Sequence, residues 1–242
     1  KNKEQNDINA QTEEDLSFLT AEDKKNLKKL NELYIHSLIF GHLRSSSNYG
    51  NEEVRELSGK NGVGVKCTNI FSSYFCVTGV DPNHNLKLVQ EWTNNMTQTS
   101  EPKIKKCNLS KGYTEIKYIP DFKRFNITSY PEEIYGIFKK LVVDVSSLLP
   151  EINVYFNDEK LPIKNLTTYS GLYYNDENIN SLTIKYKGTE IVIVGSTQPL
   201  QPISFVNGQI TKDGGQHVQS WTKTVLTLVL DSLNKTSSKK DK

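Results

Sequence analysis

The chain has 242 residues, 30 basic against 28 acidic side chains and three cysteines, enough for one large domain or two small ones and too long for a short disulfide scaffold. A net charge of +2 supplies no overall field that would carry the molecule to nucleic acid or to a membrane surface, so any such partner must be met locally. The densest apolar runs, Glu190 to Gly195 and Val225 to Leu230, fall far short of the roughly 18 residues of a membrane span, and no membrane partner is expected.

Apolar residues make up about 37% when Gly is counted and Tyr is not, below the ~45–50% typical of globular chains, so part of the sequence is expected to stay outside any core. Cys67, Cys76 and Cys107 are an odd number at no metal-like spacing, and no signal-peptide pattern opens the chain. A reducing intracellular compartment is the simplest expectation. The sequence opens at Lys1 with its single methionine at Met96 and reads as an interior piece of something longer.

In chain order, Lys1 to about Leu19 is Lys, Asn, Gln, Asp and Glu with almost nothing apolar before Leu16, the composition of a segment that stays disordered. Thr20-Ala-Glu-Asp23 resembles a capping box, and Leu27, Leu30, Leu33, Tyr34, Leu38 and Ile39 recur at helical spacing, with a second short helix possible through Ile39 to Leu43. A polar loop from Ser45 to Lys60 leads into Asn61 to Phe71, a turn that opens a helix. Short β-branched or aromatic runs then predict strands at Tyr74 to Val80, Leu86 to Trp92, Thr114 to Ile119 and Ile152 to Phe156. Pro131 to Val145 carries proline at a helix start and apolar positions at helical spacing. After a turn at Asn157 to Pro162, strands are expected at Ser181 to Tyr186, Glu190 to Val194 and Ile203 to Val206, and a closing helix at His217 to Leu233. Strands interleaved with a few helices, without regular βαβ alternation, point to α+β layers with helices on one face of a mixed sheet.

The strongest local signal is Gly59-Lys-Asn-Gly-Val-Gly-Val-Lys66. Gly59, Gly62 and Gly64 permit positive φ and let backbone N–H groups reach an anion with no Cβ in the way. A helix beginning near Val65 adds unpaired amides, Lys60 and Lys66 add point charges, and Asn61 adds a side-chain donor. The same glycines also suit a plain tight loop entering a helix. The spacing is neither the nucleotide P-loop, which needs Gly-Lys-Ser/Thr after four residues, nor the dinucleotide fingerprint. Upstream, Ser45-Ser-Ser-Asn-Tyr49 offers hydroxyls and an amide suited to a sugar or phosphate, of interest only if it lies beside the glycines.

Ile39-Phe-Gly-His-Leu-Arg-Ser-Ser-Ser-Asn-Tyr49, then Gly59 to Ser72, then Gln90-Glu-Trp-Thr-Asn-Asn-Met96, resemble in order and spacing the ATPase region of eukaryotic type II DNA topoisomerases. Ile152 to Pro162 and Ser204 to Val218 resemble the end of that family's ATP-binding domain and the start of its transducer. The resemblance covers about Leu38 to Leu233. It implies a partial ATP-binding sandwich of the Bergerat type, the gyrase, chaperone and mismatch-repair class, followed by the start of an α+β transducer. On this basis the segments are 1–37, a charged insertion; 38–157, the C-terminal part of the ATP-binding domain; 158–233, the start of the transducer; and 234–242, a basic tail.

The resemblance further implies ATP at Ser46, Ser47 and Asn48 on the nucleoside side and at Gly59, Lys60, Asn61, Gly62, Val63, Gly64, Val65 and Lys66 around the triphosphate. It implies Mg2+ held by a ligand outside this chain, double-stranded DNA as the parent enzyme's partner, a homodimer formed through the ATPase domain, and a nuclear location. The family's general-base glutamate and magnesium-binding asparagine have no counterpart in Lys1 to Ser37, so this chain alone is expected to be inactive, and Glu13, Glu14 and Glu22 read as solvated surface. Gln209-Ile-Thr-Lys212 imitates the family's phosphate-sensing Gln-Thr-Lys but precedes Gly214-Gly215 and is rejected as the sensor. Two alternatives stand beside this reading: an ATPase of the mismatch-repair type, and a truncated, non-enzymatic nucleotide-binding or dimerisation fragment.

Overall fold

The computed structural model describes residues 34–46, 48, 58–174, 180–197 and 202–240, with side chains described as far as 235. The charged opening, the capping box at Thr20 and most of the helix expected after it lie outside the described residues. The described residues separate into two compact units, the first including 59–128 and the second beginning at Ser129. That is a division of contacts, distinct from the functional boundary near residue 157 expected from the resemblance.

In the first unit, helix α1 (Ile35–Gly41) follows Tyr34, whose extended backbone begins the helix afresh at Ile35, and the chain is already extended at His42. The separate short helix through Leu43 is therefore not formed. Helix α2 (Gly64–Ile70) leads into strands β1 (Ser72–Asp81), β2 (Leu86–Thr93), β3 (Gln98–Thr99), β4 (Lys103–Lys106) and β5 (Tyr113–Pro120). The sheet runs β3-β2-β1-β5 with β4 also on β2, and every pairing is antiparallel, where a mixed sheet was expected.

Register decides which side chains meet. Phe75 lies opposite Trp92 and Tyr118, and Val77 opposite Gln90 and Ile116, so one face collects Phe75, Val77, Leu88 and Trp92. Phe40 of α1 closes that face into a core, its ring 6.3 Å from Phe75, which in turn meets Trp92 edge-on at 5.9 Å. Burial of four such side chains stabilises by roughly 1.5–3 kcal/mol each. The helix is also pinned by Ser37, whose hydroxyl donates to Gln90 Oε1 at 2.6 Å, while the Gln90 amide donates to the Ser100 carbonyl at 3.1 Å.

One helical turn before Phe40, His36 lies so close over β1 that a Cβ on Gly79 would come within 2.2 Å of its Nε2. Burial lowers the His36 pKa below its ordinary value. The unfolded chain then binds more protons than the folded one around pH 6.5, so this residue's contribution to stability is complete above that pH and is lost as pH falls through the unfolded and then the folded pKa. We expect stability measured by urea unfolding to decline below about pH 6.5, and His36→Phe to flatten that part of the profile. An unchanged slope in His36→Phe would remove His36 as its source.

The second unit opens with α3 (Glu132–Leu148), with Pro131 at its N-cap and Glu132 and Glu133 in its first turn, and it ends three residues beyond the expected Val145. Hairpins β6–β7 (Tyr155–Phe156, Glu159–Lys160), β8–β9 (Ser181–Tyr186, Thr189–Val194) and β10–β11 (Phe205–Val206, Gln209–Ile210) each turn on two residues. In all three, Asn157-Asp158, Lys187-Gly188 and Asn207-Gly208, both φ values are positive, the primed turn whose twist matches that of paired strands. Between the first two hairpins, α4 (Leu166–Ser170) is closed by a capping box between Asn165 and Thr168. Lys140 and Asp144 of α3 form an ion pair at 2.7 Å, and the buried Tyr169 hydroxyl donates to Asp144 at 2.7 Å while accepting from Lys140 at 3.1 Å. Helix α5 (Gln216–Lys240) runs past Leu233 into the expected tail, because no Gly or Pro intervenes to stop it.

Candidate functional site

The site is assembled where α1 ends. Gly41 is the last residue of that helix, and a Cβ there would stand 3.1 Å from the Trp92 ring. The hydroxyl of Ser45 then turns back to donate to the carbonyls of Leu38 and His42, each at 3.0 Å, the first of which also accepts from the His42 backbone amide. This fixes the course of the serine segment.

Gly62 meets that segment directly. Its φ is +56°, and a Cβ on it would lie 2.5 Å from the Ser45 carbonyl oxygen and 3.1 Å from Ser46 Cβ. Only glycine allows this approach. A second tie joins the same two stretches: Asn48 Nδ2 donates to the Gly59 carbonyl at 2.8 Å, while the Asn48 amide donates to Ser46 Oγ at 3.1 Å. The serines therefore do lie beside the glycines, the condition that gives them meaning. Ser47, between them, lies outside the described residues.

Gly59 and Gly64 differ from Gly62 in that a Cβ on either would meet nothing within 4 Å among the described residues. Both are exposed, as is Asn61, while Lys60, Val63 and Val65 are half-buried. Helix α2 starts at Gly64, one residue earlier than expected, behind Val63, which supplies no side-chain cap. Valine is among the poorest residues at that position, so the first amides of α2 have no side-chain acceptor of the usual kind. At seven residues the helix is too short for a large macrodipole, and those individual N–H groups are what it can offer an anion.

Lys66 is the unexpected member. It was read as a point charge at the loop, yet it is only 1% exposed, and burial lowers its pKa. Among the described residues no carboxylate pairs with it, so its ammonium is a desolvated cation without a counter-ion, a costly arrangement that an incoming anion relieves. One turn on, Asn69 donates to the Phe40 carbonyl at 3.2 Å, but its Oδ1 is buried without a hydrogen-bond partner. An anionic ligand fits this donor set of glycine amides, Lys60 and Lys66. Ser45, which the sequence offers as one of the ligand-facing hydroxyls of the serine stretch, is instead turned toward the end of α1, and Asn69 is a structural member that the sequence did not single out.

Among the described residues no group of three or more His, Cys, Asp and Glu is placed to hold a metal ion. No helix among them is long and apolar enough to cross a membrane. Glu13, Glu14 and Glu22 lie outside the described residues, and Gln209-Ile210 of the rejected triplet forms strand β11.

No family model matches the chain. It is 50% identical over 209 residues to the DNA topoisomerase 2 of Invertebrate iridescent virus 6, a match that covers 85% of this chain and 18% of that protein. To the DNA topoisomerase 2 of Saccharomyces cerevisiae it is 32% identical over 225 residues, covering 86% of this chain and 16% of the relative. The solved ATPase region of Saccharomyces cerevisiae topoisomerase II is similar with a TM-score of 0.75 and 35% identity, over 85% of this chain and 55% of that one. The chain thus spans less than a fifth of the length of these curated relatives and about half of that solved region.

Proposed function

This chain belongs to the type II DNA topoisomerase family, over part of its ATPase and transducer regions, and we propose that it contributes an ATP-binding site to ATP-driven passage of one DNA duplex through another. The observation that carries the proposal is the contact of Gly62 with Ser45 and Ser46, which joins a phosphate-type loop to a hydroxyl-rich segment. What supports it over an ATPase of the mismatch-repair type is the name shared by the relatives.

In this site the amides of Gly59 to Val65 receive the phosphate oxygens, Lys60 and Lys66 offset their charge, and Asn61 adds a donor. Ser46, Ser47 and Asn48 are assigned to the nucleoside end. ATP, when bound, supplies the phosphoryl group whose cleavage drives the enzyme's cycle. The charge of Lys66 is the term most sensitive to ligand, because the surrounding protein already desolvates it.

The rest of the machine is assigned to other parts of the parent enzyme. Those parts hold the general base, the Mg2+ ligand and the DNA-cleaving tyrosine, so the chain alone binds without turnover. Double-stranded DNA as partner, a homodimer through the ATPase domain and a nuclear location complete the proposal. A titration of the chain with a fluorescent ATP analogue tests it: saturable binding, displaced by ATP and by ADP, is expected without phosphate release above background. No displaceable binding at millimolar nucleotide would overturn the assignment.

A further inference from the structure

Strand β4 and its partner β2 bring lysines together in a way the ATP site does not use. Residues 82–117 carry six lysines and three glutamates, a net +3 in a chain whose total is +2. In the β2–β4 register Lys87 lies directly opposite Lys105, with Lys103 two residues along the same face and Lys106 closing the strand. Directly opposed like charges, their Cβ atoms about 4.5–5.5 Å apart, destabilise a sheet. Lys103 is relieved by Glu91 at 3.5 Å and Lys117 by Glu115 at 3.3 Å. Among the described residues, neither Lys87 nor Lys105 has such a pair. Lys103, Lys105 and Lys106 are exposed and Lys87 is half-buried.

Lysines on an edge strand serve to block edge-to-edge association, and that accounts for those of β4. It does not account for Lys87, which sits on β2, between β1 and β4, and faces Lys105 across the ladder. A ladder that sets two unpaired cations against each other is complemented by an anion lying over both.

We propose that this lysine row is a contact surface for the phosphate backbone of duplex DNA, separate from the ATP site. This rests on the reading that the parent enzyme acts on DNA. Duplex DNA presents one negative charge per ~1.7 Å of its axis, so Lys87 and Lys105, side by side across the ladder with Lys103 next to them on the same face, meet its phosphates with no requirement for base contacts. The surface is therefore a positioning element without sequence preference.

The test is fluorescence anisotropy of a labelled 24-base-pair duplex with the full chain across a salt series, using the wild type and the double variant Lys87→Gln/Lys105→Gln. Loss of two phosphate contacts is expected to reduce the slope of log affinity against log salt by about 1.8 and to weaken binding at low salt by roughly tenfold or more. Circular dichroism and ATP-analogue binding should be unchanged in the variant, which separates this surface from the nucleotide assignment. An unchanged slope, or a wild-type chain that binds no duplex at low salt, overturns the proposal and leaves the ATP site standing. Displacement of the duplex by polyglutamate of equal charge, as effective as unlabelled duplex, also overturns it, in favour of an acidic protein partner.

Discussion

Gly64→Asp is expected to abolish ATP binding, by about 100-fold or more, without loss of fold; the corresponding free-energy change is near 2.7 kcal/mol. Among the described residues a Cβ at this position meets no atom within 4 Å, so the substitution has room at its first atom. Residue 64 is the first residue of α2, where a carboxylate is favoured by the free amides of the helix start, worth ~0.3–1 kcal/mol. The fold is therefore held or slightly strengthened. The same carboxylate occupies the amides assigned to the triphosphate and sets a negative charge against it. Thermal unfolding and titration with the ATP analogue, run on the chain and on a longer parent containing it, check both halves. Unchanged affinity in a folded Gly64→Asp chain would sink the site assignment. Gly64→Ala, which adds volume without charge, is expected to fall between the two.

Gly62→Val is expected to fail for the opposite reason, inside the protein. The left-handed φ of +56° is strained for a β-branched residue, and the new Cβ would stand 2.5 Å from a backbone carbonyl oxygen that cannot step aside cheaply. We expect a loss of roughly 3 kcal/mol together with loss of nucleotide binding. Gly208, with φ of +80° and open space where its Cβ would be, provides the control. Gly208→Val bears the backbone strain without the collision, so the difference between the two variants in urea unfolding isolates the contact with Ser45. Equal losses at the two positions would mean that the serine segment is not held by the glycine.

Much of this was readable from residue type and spacing. Strand β8 runs from Ser181 to Tyr186 as expected, β1, β2 and β5 lie within two residues of their expected ends, and Pro131 does open a helix. These elements have short-range signals: β-branched runs between turn residues, and proline at a start. What was missed lacks such signals. Lys103 to Lys106 is a strand because β2 offers it a partner, not because lysine favours one. Residues Ile152 to Val154, β-branched enough to suggest a strand, stay outside β6: the Asn157-Asp158 turn sets Tyr155 and Phe156 opposite Lys160 and Glu159, and Val154 adds only its carbonyl, which accepts from the Leu161 amide at 2.9 Å. The glycine loop was legible as chemistry, since each glycine permits what a Cβ forbids. The distinction between Gly62, which is in contact with protein, and Gly59 and Gly64, which are open, was not, because it depends on where Ser45 arrives from another part of the chain. Burial of Lys66 was hidden for the same reason: helix periodicity does not say which turn is covered.

The hydrogen bond from Asn48 to the Gly59 carbonyl bridges a sequence separation of 11 residues. Closing a longer loop at the same two points costs only about 0.6 kcal/mol for each doubling of its length. A peptide inserted between Asn48 and Gly59 is therefore expected to cost little in closure entropy while that hydrogen bond holds.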